Sequence, residues 1–273
     1  MAGKDKSVPR LPRRRALPAP SAPPPERKAA TIAVYSVKGG VGKTTISANC
    51  AWCSAMLAGH KTLLWDLDAS GGAGYLVGVD PAAKKRAEGL FSKDRDAASL
   101  IRETDYHGLD LLPADESLRA LDEQLRDLGK KRRLAKLTED LSAHYARIVL
   151  DCPPVLNELS AQVMRAADVV IVPLPPSPLS ARAFDLVVAE IRANSDKRSP
   201  PILPVLSMID LRRKLHREAL AANPDWPVIP FASVIEQSAV RRQPVGAFAP
   251  RSPASQGFAA LWRAIDARLA GEA

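Results

Sequence analysis

From Thr31 onward the chain alternates short apolar, β-branched runs with longer segments that carry apolar residues at helical spacing. The apolar runs fall at 31–36, 62–66, 109–113, 147–151, 168–173 and 202–207, mostly bounded by glycine, proline or aspartate. They are continuous rather than alternating, which predicts parallel strands covered on both faces. Helical patterns fall near 43–58, 117–141, 156–166, 179–194, 211–222 and 254–269. Strand and helix in alternation predict a doubly wound α/β domain with a mainly parallel sheet flanked by helices. In such a domain ligands bind outside the carboxyl ends of the strands. Residues 81–105 are polar and weakly patterned, apart from a short helical stretch around Ala97–Ile101. A segment in that place suits either a moving switch or an ordinary surface loop.

The first thirty residues break the pattern. They hold seven prolines, among them Pro23-Pro24-Pro25, and the run Arg13-Arg14-Arg15, so they predict a disordered basic tail (1–30) ahead of a single domain (31–273). The tail carries eight Lys/Arg and two Asp/Glu, a net +6, which leaves +3 of the chain's +9 to the body. It reads as a solvated extension or as an electrostatic arm for DNA or an acidic partner; an organellar transit peptide has a similar composition. With 46% hydrophobic residues in 273, the body is long enough to bury one sizeable core. No apolar run approaches the ~20 residues that span a bilayer. The tail lacks the apolar stretch of a secretory signal, and the three cysteines (Cys50, Cys53, Cys152) are an odd set, so a cytoplasmic location is expected. Cys50 and Cys53 lie within a helical pattern among apolar neighbours and are expected to be buried helix cysteines rather than a redox or metal pair. The four histidines are scattered and define no metal site.

The candidate chemistry is concentrated in Lys38-Gly39-Gly40-Val41-Gly42-Lys43-Thr44-Thr45. This stretch follows a predicted strand and opens a predicted helix, the context that a phosphate-binding loop requires. Its glycines let backbone N–H groups close round phosphate oxygens, and the helix N-terminus adds partial positive charge. Lys43 supplies a full charge to the β- and γ-phosphates, and the Thr44 hydroxyl is placed to hold Mg²⁺. The general pattern asks for a further glycine upstream of Gly42-Lys43 that this chain lacks; the residue before the double glycine is instead a second lysine, Lys38.

With that extra lysine the loop resembles the deviant P-loop of the ParA/MinD family of dimerising ATPases. Lys61–Asp68, ending Asp66-Leu67-Asp68, resembles the family's second strand, and Arg147–Pro154, containing Asp151-Cys152-Pro153-Pro154, resembles its Walker B strand and turn. Ser207-Met208-Ile209-Asp210 and Val228-Ile229-Pro230 resemble the segments beside the adenine. The similarity runs from about Thr31 to Leu269. One departure is Ala69-Ser70-Gly71-Gly72, where partition proteins usually carry Pro-Gln-Gly-Asn; it weakens assignment to the plasmid and chromosome partition subfamily.

The resemblance implies a P-loop NTPase fold, ATP and Mg²⁺ as ligands, and ATPase activity. It implies ATP contacts along Lys38–Thr45 and at Met208 and Pro230, with Mg²⁺ near Thr44, Asp66 and Asp151. Lys38, Lys43 and Asp68 become the catalytic residues, Asp68 by orienting the attacking water. Lys38 reaches across a nucleotide-sandwich homodimer to the partner's phosphates. Arg212, Arg213, Lys214, Arg241, Arg242 and Arg251 are candidates for nonspecific DNA binding, Arg242 standing where MinD-like relatives tend to carry glycine. The expected role is a nucleoid-associated switch that positions a cargo and is stimulated by a ParB-like or cargo-adaptor protein. The alternatives are a MinD-like membrane-positioned ATPase, or one serving cellulose synthesis or secretion. The expected last helix leaves only Gly271-Glu272-Ala273 for a membrane anchor, so membrane association is not expected. A tyrosine kinase on this scaffold would need a C-terminal tyrosine cluster, but the last tyrosine is Tyr145. An iron–sulfur ATPase would need cysteines at a dimer face. A scaffold that binds ATP without turnover stays open.

Overall fold

The computed structural model describes residues 29–80, 97–114, 118, 125, 131–194 and 199–271. Eight strands are present among them: β1 Ala30–Val34, β2 Thr62–Asp66, β3 Arg102–Glu103, β4 Leu109–Leu112, β5 Arg147–Asp151, β6 Val169–Leu174, β7 Ile202–Ile209 and β8 Val228–Pro230. They form one sheet in the order β3-β4-β2-β5-β1-β6-β7-β8. Every neighbouring pair is parallel except β3 with β4. The doubly wound, mainly parallel sheet expected from the apolar runs is therefore observed.

The continuous runs reflect burial on both faces. Along β1 and just after it, Ala33 and Tyr35 enter one core layer while Ile32 and Val34 enter the other. The first layer is closed by α3 (Arg133–Leu141), α4 (Glu158–Ala166) and α5 (Pro178–Asn194), through residues such as Leu137, Val163 and Val187. The second is closed by α1 (Lys43–Met56) and α9 (Pro253–Ala270), through Ile46, Trp52, Phe258 and Leu261. Each fully buried large apolar side chain contributes about 1.5–3 kcal/mol relative to exposure, so the two layers hold the strand ends rigidly.

Local signals set the helix ends. Asn157 caps α4, accepting from Leu159 N and Ser160 N, while the Ser160 hydroxyl accepts from Asn157 N. Ser252 caps α9, with Pro253 in its first turn and Gly271 in left-handed conformation at its end. The pattern expected over 211–222 becomes helix only at α6 (Lys214–Ala222), because Asp210 accepts the Arg212 N–H and holds a turn there. Of the pattern over 117–141, the described residues confirm the last part, α3. Ala97–Ser99 forms one 3-10 turn. Short elements not anticipated from periodicity are α2 (Gly72–Leu76), α7 (Ser233–Arg241), α8 (Val245–Phe248), β3 and β8. The expected tail up to residue 28 and the candidate switch stretch 81–96 lie outside the described residues.

Candidate nucleotide-binding site

Three adjacent strands, β2, β5 and β1, deliver the candidate residues to one end of the sheet. Asp151 is in register with Asp66 on one side and Val34 on the other, and the glycine loop continues from β1. The loop turns into α1 at Gly42, whose φ of 93° is accessible to glycine at little cost. Gly42 offers no side-chain cap, and α1 has no acidic residue in its first turn. The first amides of α1 thus lack a side-chain acceptor, which suits an anionic ligand.

Lys43 is buried, 7% exposed, and its Nζ donates to the Lys38 carbonyl at 3.3 Å. Burial lowers its pKa, while the nearby charges of Asp151 and Asp68 oppose that fall. Asp151 is fully buried. Its Oδ1 accepts from Ser47 Oγ at 3.0 Å, and its Oδ2 has no hydrogen-bond partner. Burial pushes the Asp151 carboxyl up, the Thr44 and Ser47 hydroxyls favour its charged form, and the Asp68 charge raises it further. The Thr44 hydroxyl is therefore beside this carboxylate. A buried carboxylate oxygen beside a threonine hydroxyl, next to an open helix N-terminus, is a donor set that fits a hydrated Mg²⁺ held against phosphate.

Asp66 is also buried, but its carboxylate is engaged with backbone amides. Oδ1 accepts from Asp68 N at 3.1 Å, and Oδ2 accepts from Ala73 N at 2.9 Å and Gly74 N at 3.5 Å. Burial and then the Asp151 charge push its carboxyl well up, and these amides oppose the shift. Both Asp66 oxygens are thus engaged by backbone amides, whereas Asp151 keeps one oxygen without a partner. Asp68 is half-buried and its Oδ1 accepts from Ser70 N at 3.0 Å. Lys38 is half-buried; its Nζ lies 3.4 Å from both Ser177 Oγ and Ser180 Oγ at the start of α5.

Gly39, Gly40, Val41 and Thr45 complete the loop as the sequence places them. Met208 reaches the same end, its methyl 3.7 Å from where a Gly42 β-carbon would stand, on a backbone of φ 56°. Pro230 follows it across the sheet, opposite Ile209. Two residues that motif reading passed over belong to the site. Ser47 ties α1 to Asp151, and Asn49 ties α1 to α8, its Oδ1 accepting from Val245 N at 2.8 Å. Their only sequence signal is a polar residue on an otherwise apolar face of α1.

The six basic candidates separate. Arg212 makes a two-pronged pair with Asp210, both contacts 2.8 Å, and Lys214 lies 3.6 Å from Glu218. Arg242 pairs with Asp80 at 2.7 Å and is only 30% exposed. These three thus have acidic neighbours within the chain, although the Arg212 and Lys214 side chains stay exposed. Arg213, Arg241 and Arg251 are exposed, Arg241 over the Phe248 ring at 4.9 Å.

A parallel sheet with a glycine loop leading from β1 into α1, and an aspartate ending the adjacent strand, defines a P-loop nucleotide-binding domain. Residues 29–202 match a family model described as an AAA domain. Sporulation initiation inhibitor protein Soj of Bacillus subtilis is 26% identical over 250 residues, 86% of this chain and 98% of that protein. Chromosome partitioning protein ParA of Myxococcus xanthus is 36% identical over 146 residues, 52% of this chain and 51% of that protein. The septum site-determining protein MinD of Pyrococcus horikoshii, solved with Mg-ADP, superimposes with a TM-score of 0.72 at 23% identity, over 90% of this chain and 99% of that one. The chain belongs to the ParA/MinD family of P-loop ATPases.

Proposed function

We propose that this chain is an ATP-driven positioning switch: with ATP and Mg²⁺ it forms a sandwich homodimer that binds DNA without sequence preference, and hydrolysis releases it. The observation that carries this reading is the partnerless, buried Oδ2 of Asp151 beside Thr44 and Lys43. Mg²⁺ held there would offset charge developing on the transferred phosphoryl group. The chain's own residues do the rest. Loop amides and Lys43 bind the phosphates, Ser47 orients Asp151, and Asp68, half-exposed beside them, orients the attacking water. Lys38, whose Nζ rests on the Ser177 and Ser180 hydroxyls at the start of α5 rather than on its own loop, exchanges them for the phosphates of a second copy.

Arg213, Arg241 and Arg251, with the tail's basic run, supply the polyanion contacts, so binding falls steeply with salt. The switch acts in the cytoplasm on nucleoid DNA, with a partner protein triggering turnover and a cargo carried along. Membrane binding is the competing reading. No described helix is long and apolar enough to cross a bilayer.

Co-sedimentation with nonspecific DNA and with anionic liposomes, under ATP, ADP and no nucleotide, tests the reading against Lys43→Ala and a variant lacking residues 1–30. ATP-dependent DNA retention that is absent in Lys43→Ala supports it. Nucleotide-dependent liposome binding without DNA binding overturns it in favour of the membrane.

A further inference from the structure

Arg242 closes α7 in the left-handed region, at φ 54° and ψ 43°. Among the described residues only one other non-glycine, Met208, has a positive φ. A β-carbon is disfavoured there, so such a residue persists when its surroundings hold it. The surroundings here are specific. The Arg242 guanidinium lies 4.8 Å from the Tyr75 ring centroid, and its Nη2 pairs with Asp80 Oδ1 at 2.7 Å. Tyr75 belongs to α2, and Asp80 follows that helix.

The opposite end of α2 is set by the candidate nucleotide site. Asp66 accepts the Ala73 and Gly74 amides. Gly72 packs so closely on Thr44 that a β-carbon added there would stand 3.1 Å from the threonine methyl. Thr44 and the Asp66 strand end thus both bear directly on the start of α2. Three residues beyond Arg242, Val245 is fixed to α1: its N–H donates to Asn49, whose own amide donates to the Thr45 carbonyl at 2.8 Å. Gly246 then packs against the Trp52 ring of the same helix. The corner between α7 and α8 is thus held to α2 at one point and to α1 at the next.

We propose that Arg242 is a positioning residue that couples the α2 segment to this corner, so that nucleotide-dependent movement of α2 against α1 is delivered to the exposed Arg241 beside it. This rests on the nucleotide reading above and assigns Arg242 a role other than contact with DNA phosphate. The warrant is mechanical: one anchor on α2 and one on α1, joined by Gln243 and Pro244.

Hydrogen exchange on the full chain tests it, with no nucleotide, ADP-Mg²⁺ and a non-hydrolysable ATP analogue with Mg²⁺. In the wild type, loop amides 39–46 gain protection with nucleotide and corner amides 238–249 change their exchange by roughly threefold or more. In Arg242→Gly, which relieves the left-handed strain and so does not threaten folding, the loop response stays and the corner response disappears. Asp80→Asn weakens it, and Arg241→Ala retains it. A corner response intact in Arg242→Gly overturns the inference, as does a wild-type corner that ignores nucleotide while the loop is protected. A wild-type loop that gains no protection sinks the nucleotide reading and this inference with it. DNA retention reduced equally in every nucleotide state by Arg242→Gly, with a salt slope lower by about one, makes Arg242 a phosphate contact and overturns the coupling role.

Discussion

Ser47 Oγ stands 3.0 Å from Asp151 Oδ1, linking the phosphate-loop helix to a strand end 104 residues away. The same hydroxyl lies 3.0 Å from the Lys43 carbonyl, so Ser47 fixes the carboxylate relative to the loop lysine. Ser47→Ala leaves both oxygens of a fully buried carboxylate without that donor. The expected cost is about 1–3 kcal/mol of stability. Mg²⁺-dependent nucleotide affinity is expected to fall roughly 10–100-fold, as when a residue orienting a metal-binding group is lost. Urea unfolding and titration of a fluorescent nucleotide with and without Mg²⁺ check both. Ser47→Thr, which keeps the hydroxyl, should recover most of the affinity. A Ser47→Ala protein with wild-type Mg²⁺ dependence would remove Ser47 from the site.

Gly246 has no room for a side chain. A β-carbon there would lie 2.2 Å from the Trp52 ring, which is itself packed in the α1–α9 core layer. Gly246→Ala must displace either the indole or α8, with an expected loss on the order of 1–3 kcal/mol. The check is a lower urea midpoint with an unchanged slope. Gly39→Ala is the contrast, since a β-carbon at Gly39 meets nothing within 4 Å; it should leave stability nearly unaltered while impairing phosphate binding.

The sheet and the loop were legible because both rest on local signals. A strand buried on both faces reads as an unbroken apolar run, as in Ile148-Val149-Leu150, and a phosphate loop is a contiguous string of residues with one backbone task. What was not legible depends on pairings distant in sequence. Nothing near Asp66 announces that its Oδ2 is taken by amides of α2, a helix of five residues without a periodic face. Nothing near Arg242 announces Asp80, 162 positions earlier in the chain. Charge patterning therefore gathered Arg212, Arg242 and Arg251 into one class, whereas the fold gives the first two acidic partners and leaves Arg251 exposed.

The three thiols are buried, and burial pushes each of them up, Cys53 to about 12. A raised thiol pKa means less thiolate at any given pH, and thiolate is the reactive form. None of the three is expected to react with iodoacetamide in the folded protein at pH 8, and all three should react in urea. The linkage has a definite sign. A folded pKa above the unfolded value favours the protonated form in the fold, so this contribution is full below the unfolded thiol pKa of 9.0 and is lost as pH rises towards about 12. Stability measured from pH 8 to 11 should fall less steeply in Cys53→Ala than in the wild type. Rapid labelling of the native protein at pH 8 would contradict the burial argument.

Substitutions at Asp68 test whether turnover can be separated from binding. Its Oδ1 accepts the Ser70 amide, which shapes the turn after β2, and its charge acts on both Lys43 and Asp151. Asp68→Ala removes the turn and the charge together and cannot tell them apart. Asp68→Asn keeps an oxygen that accepts from Ser70 but removes the charge that orients and polarises water. If the carboxylate does the chemistry, both variants hold ATP within a fewfold of the wild type and lose turnover by about 10²–10⁴-fold, the usual contribution of a positioned base. If the turn alone matters, Asp68→Asn retains turnover and only Asp68→Ala loses it. Single-turnover hydrolysis beside equilibrium nucleotide binding distinguishes the two. Loss of binding in both variants would instead place Asp68 among the groups that hold the nucleotide, through its charge on Lys43.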